Sequence, residues 1–330
     1  MRNRQVVLAS RPAGEVKESD FRLVEAEVPE LGPGQVATRV HLLSLDPYMR
    51  GRMDDVRSYA PAQPLGEVMV GGTVGEVVAS RSPAFSPGDT VVGMGGWQEV
   101  SVADASTLRR IDTSRVPASA YLGCVGMPGV TAWWGLNRIG RPKAGETVLV
   151  SAAAGAVGSV VGQLAKLLGC RAVGVAGGPA KCEHVVRDLG LDACVDHRSP
   201  RLKEELAAAT PAGVDVVFEN VGGKVLDLAL ARANPFGRVA LCGLIAGYGG
   251  EDIALRNVRA VLVRRLLVQG FIVSDHLGAW PEALRELAGH VAAGRLRWRE
   301  TVAQGLESAP RAFIGMLRGE NLGKQLVKLG

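Results

Sequence analysis

The chain has 330 residues, 47% of them hydrophobic and 22% charged, with 43 glycines; this suits a soluble globular protein with room for two domains and a large core. Its formal net charge of +5 is scattered, and the densest basic set, Arg256, Arg259, Arg264 and Arg265, falls in one short amphipathic stretch that reads as a solvated helix face, which argues against nucleic acid as a partner. Five cysteines without paired spacing, and an N-terminal segment MRNRQVVLASRPAGE without an apolar run, point to a reduced protein with no secretory signal, expected in the cytoplasm.

In chain order, residues 1–120 carry short β-rich runs at 5–8, 21–25, 36–44, 73–79, 90–93 and 98–102, separated by turns such as Gly32-Pro33-Gly34 and Ser86-Pro87-Gly88-Asp89. The pattern predicts an all-β, barrel-like domain with no helical period before Pro117. From Gly145 the rhythm alternates, with strands predicted at 147–151, 171–176, 193–196, 214–219, 238–242 and 266–273 and helices at 157–168, 181–189, 200–209, 224–232 and 282–293. Five or six strands joined by helices make an α/β fold, a doubly wound parallel sheet. After Gly294 the tail ends in Leu326-Val327-Lys328-Leu329, a last strand expected to close back on the first domain.

The stretch 145–169, GETVLVSAAAGAVGSVVGQLAKLLG, reads as strand, glycine turn and helix in succession, the apolar period switching from 2 to 3.6 across Ala153-x-Gly155-x-x-Gly158. A dinucleotide pyrophosphate belongs at that switch, since Gly155 lets backbone approach a diphosphate, Gly158 lets helix and strand pack closely, and helix-terminal amides favour an anion. Taken alone the motif leaves two other readings open. One is a turn that only packs. The other is a membrane helix, because 147–165 is uncharged and Gly158-x-x-x-Gly162 imitates a membrane dimer motif, although its alanines, glycines, serines and Gln163 make it weakly hydrophobic.

About 20 residues past the glycines an NAD site carries Asp or Glu for the ribose 2′-hydroxyl. This chain has Ala176-Gly177-Gly178-Pro179-Ala180-Lys181 there. With no acid to repel a phosphate, and Lys181 to attract it, NADPH is the expected cofactor. Zinc-dependent alcohol dehydrogenases share this domain layout, but Gly66-Glu67-Val68 stands where they carry Gly-His-Glu. No two cysteines are closer than twelve residues, and histidines 41, 184, 197, 276 and 290 are scattered singly, so no metal site is expected.

Specific motifs then accumulate: Asn3-Arg4-Gln5-Val6-Val7-Leu8, the DPYMRGRM segment at 46–53, Gly126-Met127-Pro128-Gly129-Val130-Thr131-Ala132, Phe218-Glu219-Asn220-Val221-Gly222-Gly223, Gly270-Phe271-Ile272-Val273 and GENLGK at 319–324. With these the chain resembles the zinc-independent medium-chain dehydrogenase/reductases of the leukotriene B4 12-hydroxydehydrogenase, prostaglandin reductase and alkenal double-bond reductase group, and among them the bacterial NADPH-dependent curcumin reductases. The resemblance implies an all-β GroES-like barrel as catalytic domain (residues 1–120 and 300–330), a Rossmann NADPH-binding domain (121–299), and a homodimer joined through the sheets of that inner domain. It also implies cofactor contacts. Gly155, Ala156, Val157 and Gly158 would hold the pyrophosphate and Lys181 the 2′-phosphate, while Asn220, Cys242, Gly243, Leu244, Ile245, Tyr248, Phe271, Ile272 and Val273 would line the adenosine and nicotinamide path, with Asn321 approaching from the tail. Relatives place a tyrosine on the 2′-phosphate where this chain has His197. An imidazole there serves a phosphate best when charged, so NADPH preference is expected to weaken as pH rises.

The activity that the resemblance implies is metal-independent reduction of the C=C bond of small α,β-unsaturated ketones and aldehydes, with hydride to the β-carbon and a proton to the α-carbon. Such chemistry needs donors at the enolate oxygen, and the candidates are Tyr48, Tyr59 and Tyr248, three of four tyrosines in the chain. His276 is a further candidate, as proton donor, where relatives carry a substrate-reaching tyrosine. Trp97, Trp133, Trp134 and Met127 are either core or an apolar pocket, with Trp133, inside the Met-Pro-Gly segment, favouring the pocket. A quinone reductase or an NADP-dependent alcohol oxidoreductase is the alternative enzyme, and a non-catalytic NADPH-binding protein the alternative of another class.

Overall fold

A computed structural model describes residues 2–330 and divides the chain into two units, Met1–Leu122 with Glu300–Gly330, and Gly123–Arg299. In the first unit β1 (Arg2–Leu8) and β2 (Phe21–Glu27) form an antiparallel ribbon. A second sheet contains β3 (Gln35–Ser44), β4 (Thr73–Ser80), β5 (Thr90–Gly93), β6 (Val100–Asp104) and the two-residue β7 (Arg109–Arg110). β3 is long enough to take two partners along one edge: its start pairs with β6 and its end with the last strand of the chain, while β4 covers the other edge. Trp97 is fully buried in the core, stacked on Phe21 at 5.4 Å and edge-on to Phe313 at 5.6 Å. It is packing, not pocket.

This unit is not purely β. A short helix spans Tyr48–Arg52 directly after Pro47, and a nine-residue helix spans Ala309–Leu317. The second buries Ala309, Phe313 and Met316 on one stripe, a period that reading the tail as mixed apolar and charged overlooks.

The second unit holds β8 (Thr147–Ser151), β9 (Arg171–Ala176), β10 (Ala193–Asp196), β11 (Val214–Glu219), β12 (Ala233–Leu241) and β13 (Leu267–Gly270), all parallel, in the order β10-β9-β8-β11-β12-β13. The doubly wound sheet is therefore as expected, and strand order reverses between β8 and β11, the crevice where such sheets bind ligands. β8 is buried along its whole length because helices cover both faces of a parallel sheet. Boundaries shift locally. The helix read at 181–189 is a helix at Pro179–Glu183 followed by a wider π-type turn at His184–Asp188, where Asp188 accepts from His184 Nδ1 at 2.6 Å. β12 begins five residues early, through Phe236 in the left-handed region (φ 62°), and β13 ends before Phe271. A helix at Met127–Trp134, started by Pro128 in its first turn, precedes the sheet. Among the expected surface arginines, Arg264 donates to the carbonyl of Ala233 at 2.5 Å and Arg265 lies over the Phe236 ring at 4.6 Å, both tied to the unit's own chain.

The chain returns to the first unit as β14 (Glu300–Gln304) and β15 (Lys324–Lys328), which pair in parallel, and β15 joins the end of β3 antiparallel. Its first residue, Lys324, is buried with Nζ 2.9 Å from Asp46 Oδ1 and 2.5 Å from the carbonyl of Leu45. Ser44 donates its hydroxyl to the other Asp46 oxygen. Removing the ammonium leaves a carboxylate stranded in the core, so Lys324→Met is expected to lower stability by about 3–5 kcal/mol, read by urea unfolding, and Asp46→Asn combined with it is expected to recover part of that loss.

Candidate active site

Past β8 the chain turns through Ala152 in the left-handed region (φ 51°), and the amide of Gly155 donates to the carbonyl of Ala152 at 2.9 Å. A side chain at Gly158 would press into the backbone of Ala152 and stand 2.9 Å from Ala153 Cα, so only glycine lets the helix Gly158–Leu167 start this close to the strand. Ala153 replaces the first glycine of the usual fingerprint because the neighbouring strand yields the room: a Cβ on Gly174 would stand 2.7 Å from that of Ala153. No hydrogen bond among the described residues uses the amides of Ala156, Val157 and Gly158. Three uncommitted N–H groups at a ten-residue helix start fit a diphosphate.

The turn after β9 carries the second set. Gly178 (φ 92°) donates its amide to Asp196 Oδ1 at 2.8 Å, and the amide of Arg198 donates to the same oxygen at 2.9 Å. This staples the end of β10 to the end of β9. His197 Nε2 lies 2.7 Å from where a Cβ on Gly177 would be, so the imidazole fills the space an acidic side chain there would need. Desolvation of the ring, and then Arg198 beside it, hold His197 below the usual imidazole range. Lys181 stands on the helix Pro179–Glu183, its ammonium pKa lowered by burial and by Arg198. The structure thus brings Lys181 and His197 to one turn and adds Arg198, which the sequence analysis does not single out. The basic pair directly after a strand-ending aspartate was the available signal.

At the end of β11 Glu219 is fully buried. Its Oε1 accepts from the Ser151 hydroxyl at 2.9 Å and from the amides of Val221 at 2.6 Å and Gly222 at 2.7 Å, whereas Oε2 has no hydrogen-bond partner among the described residues. Burial raises its pKa against the pull of those hydrogen bonds. Glu219 too was missed, although a lone acid closing the apolar run VDVVF marks it. Asn220 donates Nδ2 to the carbonyl of Ser151 at 2.8 Å, and no hydrogen bond among the described residues uses its Oδ1. The amides of Cys242 and Gly243 both donate to the carbonyl of Glu219, at 2.9 and 3.1 Å, and burial with the nearby Glu219 pushes the Cys242 thiol up to about 12, leaving it a protonated packing group. Leu244 covers Gly222, the amide of Ile245 donates to the carbonyl of Asn220 at 3.2 Å, and the Tyr248 hydroxyl lies 3.8 Å from where a Cβ on Gly243 would be. Gly155–Gly158, Asn220 and 242–248 are therefore at the carboxyl ends of the central strands. Phe271 instead packs edge-on to Phe218 at 6.2 Å in the core, and only Ile272 and Val273 beyond it are partly exposed.

Tyr48, Tyr59 and Asn321 belong to the other unit. Tyr48 opens the helix after Pro47, and burial together with the Asp46 carboxylate raises its phenol pKa far above the ordinary value, so it remains a proton donor. Tyr59 is 59% exposed in the loop 55–62. Asn321 donates Nδ2 to the carbonyl of Gly323 at 2.8 Å, within its own turn. Trp133 departs from the pocket expectation: it is 2% exposed, its Nε1 donates to Glu286 at 2.8 Å, and Arg138 covers its ring at 4.8 Å. Trp134 stacks face to face on His276 at 3.9 Å. Among the described residues no three His, Cys, Asp or Glu side chains are grouped to hold a metal ion, and no helix is long and apolar enough to cross a membrane.

Comparison with known proteins places this geometry. A model of the N-terminal domain of oxidoreductases matches residues 4–111, and one described as zinc-binding dehydrogenase matches 156–289. The chain is 46% identical to the NADPH-dependent curcumin reductase of Escherichia coli (strain K12) over 99% of its own length and 97% of that protein's. It is 41% identical to the 2-alkenal reductase (NADP(+)-dependent) of Nicotiana tabacum over 98% and 97%. The crystal structure of CurA in complex with NADPH from Vibrio vulnificus matches with a TM-score of 0.95 at 42% identity, over 99% of both chains. Identity of this order along nearly the whole chain, on a shared fold, is decisive: the chain belongs to the zinc-independent medium-chain dehydrogenase/reductases, in the group of curcumin, 2-alkenal and prostaglandin reductases.

Proposed function

We propose that this protein is an NADPH-dependent reductase of the C=C bond of α,β-unsaturated ketones and aldehydes. The observation that carries the reading is the pairing of two turns. The first leaves the amides of Ala156, Val157 and Gly158 uncommitted at a helix start, and the second, at Gly177–Gly178, faces basic side chains with no acid of its own. The first suits a pyrophosphate and the second a 2′-phosphate. The activities named for the curcumin and 2-alkenal reductases supply the substrate class.

When bound, NADPH supplies the hydride that the β-carbon of an enone accepts. The protein's own part is orientation and charge. The three amides hold the pyrophosphate, Lys181 faces the 2′-phosphate, and Asn220 Oδ1 with the loop 242–248 and residues 272–273 line the path toward the nicotinamide. Tyr48, whose phenol stays protonated, donates its Oη hydrogen to the substrate oxygen on which negative charge develops. Tyr248 is a second donor from the loop after β12, and the exposure of Tyr59 suits substrate contact more than charge stabilisation.

A homodimer is part of the same proposal. Among the described residues β13 pairs only with β12, so its outer edge is open. Leu267 (50% exposed) and Val268 (42% exposed) are on it, with Leu262 and Val263 just before. An apolar open edge is an aggregation hazard unless a second copy covers it. A cytoplasmic location fits the cysteine pattern.

Purified protein given NADPH and a panel of enones, enals and quinones is expected to yield saturated ketones and aldehydes that keep their carbonyl. Absence of NADPH oxidation across the panel, or alcohols as the products, overturns the reading. Tyr48→Phe is expected to lower kcat by about 100-fold, the usual cost of one oxyanion donor, with Tyr59→Phe much milder in the same steady-state assay. Leu267→Glu is expected to halve the mass measured by light scattering in solution.

A further inference from the structure

We propose that Arg198 is the residue that selects NADPH over NADH in this chain, its guanidinium pairing with the cofactor's 2′-phosphate over the Gly177–Gly178 turn; the inference rests on reading this site as an NADPH site. The backbone is built to hold the side chain there. One oxygen of Asp196 accepts the amides of both Gly178 and Arg198, so the two turns are tied at a single point. The guanidinium consequently lies across the glycines, with Nε 3.4 Å from the place of a Cβ on Gly177 and Nη1 3.6 Å from that of a Cβ on Gly178.

The guanidinium is also chemically available. Among the described residues it enters no hydrogen bond and no ion pair. Arg238, by contrast, spends its donors on Glu146 and on the carbonyls of Gly140 and Arg141. Of the acids near the two turns, Asp196 spends Oδ1 on two amides and Glu205 accepts the Ser199 hydroxyl at 2.8 Å. Arg198 and Lys181 therefore repel one another without a carboxylate bound to the guanidinium between them, and the lowered pKa of Lys181 carries that repulsion among its causes. A phosphate dianion relieves it, and a planar fork of N–H donors matches phosphate oxygens two at a time.

His197 is the competing candidate, and its geometry points elsewhere. Its ring is packed on Gly177, facing Arg198, Lys181 and Asp196, and its depressed pKa leaves it neutral at pH 7.5. A neutral imidazole has one N–H to offer and no charge. Its contribution is to occupy the space in which an NAD-type acid at position 177 would stand, so the ring excludes the wrong side chain while Arg198 binds the right ligand.

Two fragments separate this from the functional reading, because neither needs turnover: 2′,5′-ADP, which carries the 2′-phosphate, and 5′-AMP, which does not. Calorimetric titration at pH 7.5 is expected to show 2′,5′-ADP binding the parent more tightly than 5′-AMP. Arg198→Ala, which removes no side-chain hydrogen bond or ion pair among the described residues, is expected to lose roughly ten- to a hundredfold in affinity for 2′,5′-ADP while its affinity for 5′-AMP stays unchanged. Arg198→Lys is expected to retain part of the difference, and His197→Ala to lose less than Arg198→Ala. The proposal is overturned if Arg198→Ala binds 2′,5′-ADP within twofold of the parent, if both fragments weaken equally, or if His197→Ala suffers the larger loss. A parent that discriminates the fragments through Arg198 yet reduces no enone supports this assignment and sinks the reductase reading alone.

Discussion

The first unit depends on one desolvated ion pair. It is assembled from two stretches of chain with 177 intervening residues, Gly123–Arg299, between them, and Lys324 and Asp46 meet where the second stretch is inserted beside the first. A buried ammonium and carboxylate are tolerated only together, since either alone forfeits its hydration without compensation. The pair also accepts no substitute register. Lys324 donates to the Leu45 carbonyl as well, so sliding β15 along β3 would break both of its contacts at once, while Ser44 keeps the far oxygen of Asp46 fixed. Asp46-Pro47-Tyr48 follow directly, and the helix bearing the proposed donor begins where that anchor ends.

The second unit uses acids in the same manner, as clamps on backbone. Asp196 ends β10 and ties two amides; Glu219 ends β11 and ties two amides and a hydroxyl. In each case the negative charge is turned into the protein, and the ligand-facing side of the strand ends is left with free amides and cations. This explains why acidic residues stand close to a site that receives a polyphosphate without repelling it. At Glu219 the clamp is one-sided: Oε1 takes all three donors and Oε2 has no hydrogen-bond partner among the described residues, in a carboxyl whose pKa burial raises.

Glycine usage at the site is a set of exchanges between neighbouring strands. Ala153 is admissible at the fingerprint's first position because Gly174 concedes its side-chain volume, and Gly177 is required because His197 occupies that volume. A motif comparison along one segment sees a substituted glycine and a missing acid. The volume that accounts for both belongs to residues about 20 positions away in the chain, brought alongside by parallel strand pairing.

Much was legible from local order. Short β-rich runs with Pro/Gly turns, then alternating strands and helices, define the α/β class and six of the strands in the parallel sheet, because hydrophobic period and turn chemistry are properties of contiguous residues. The glycine turn, Lys181 and the family motifs were legible for the same reason. Less accessible were the helix Ala309–Leu317, the core role of Trp133 and Phe271, and the parts played by Glu219 and Arg198. Burial, orphaned oxygens and a guanidinium left without a carboxylate are relations between residues distant in sequence. Spacing along the chain carries the identity of the cofactor turn, whereas the charge that meets its phosphate is set by which strand ends are stapled side by side.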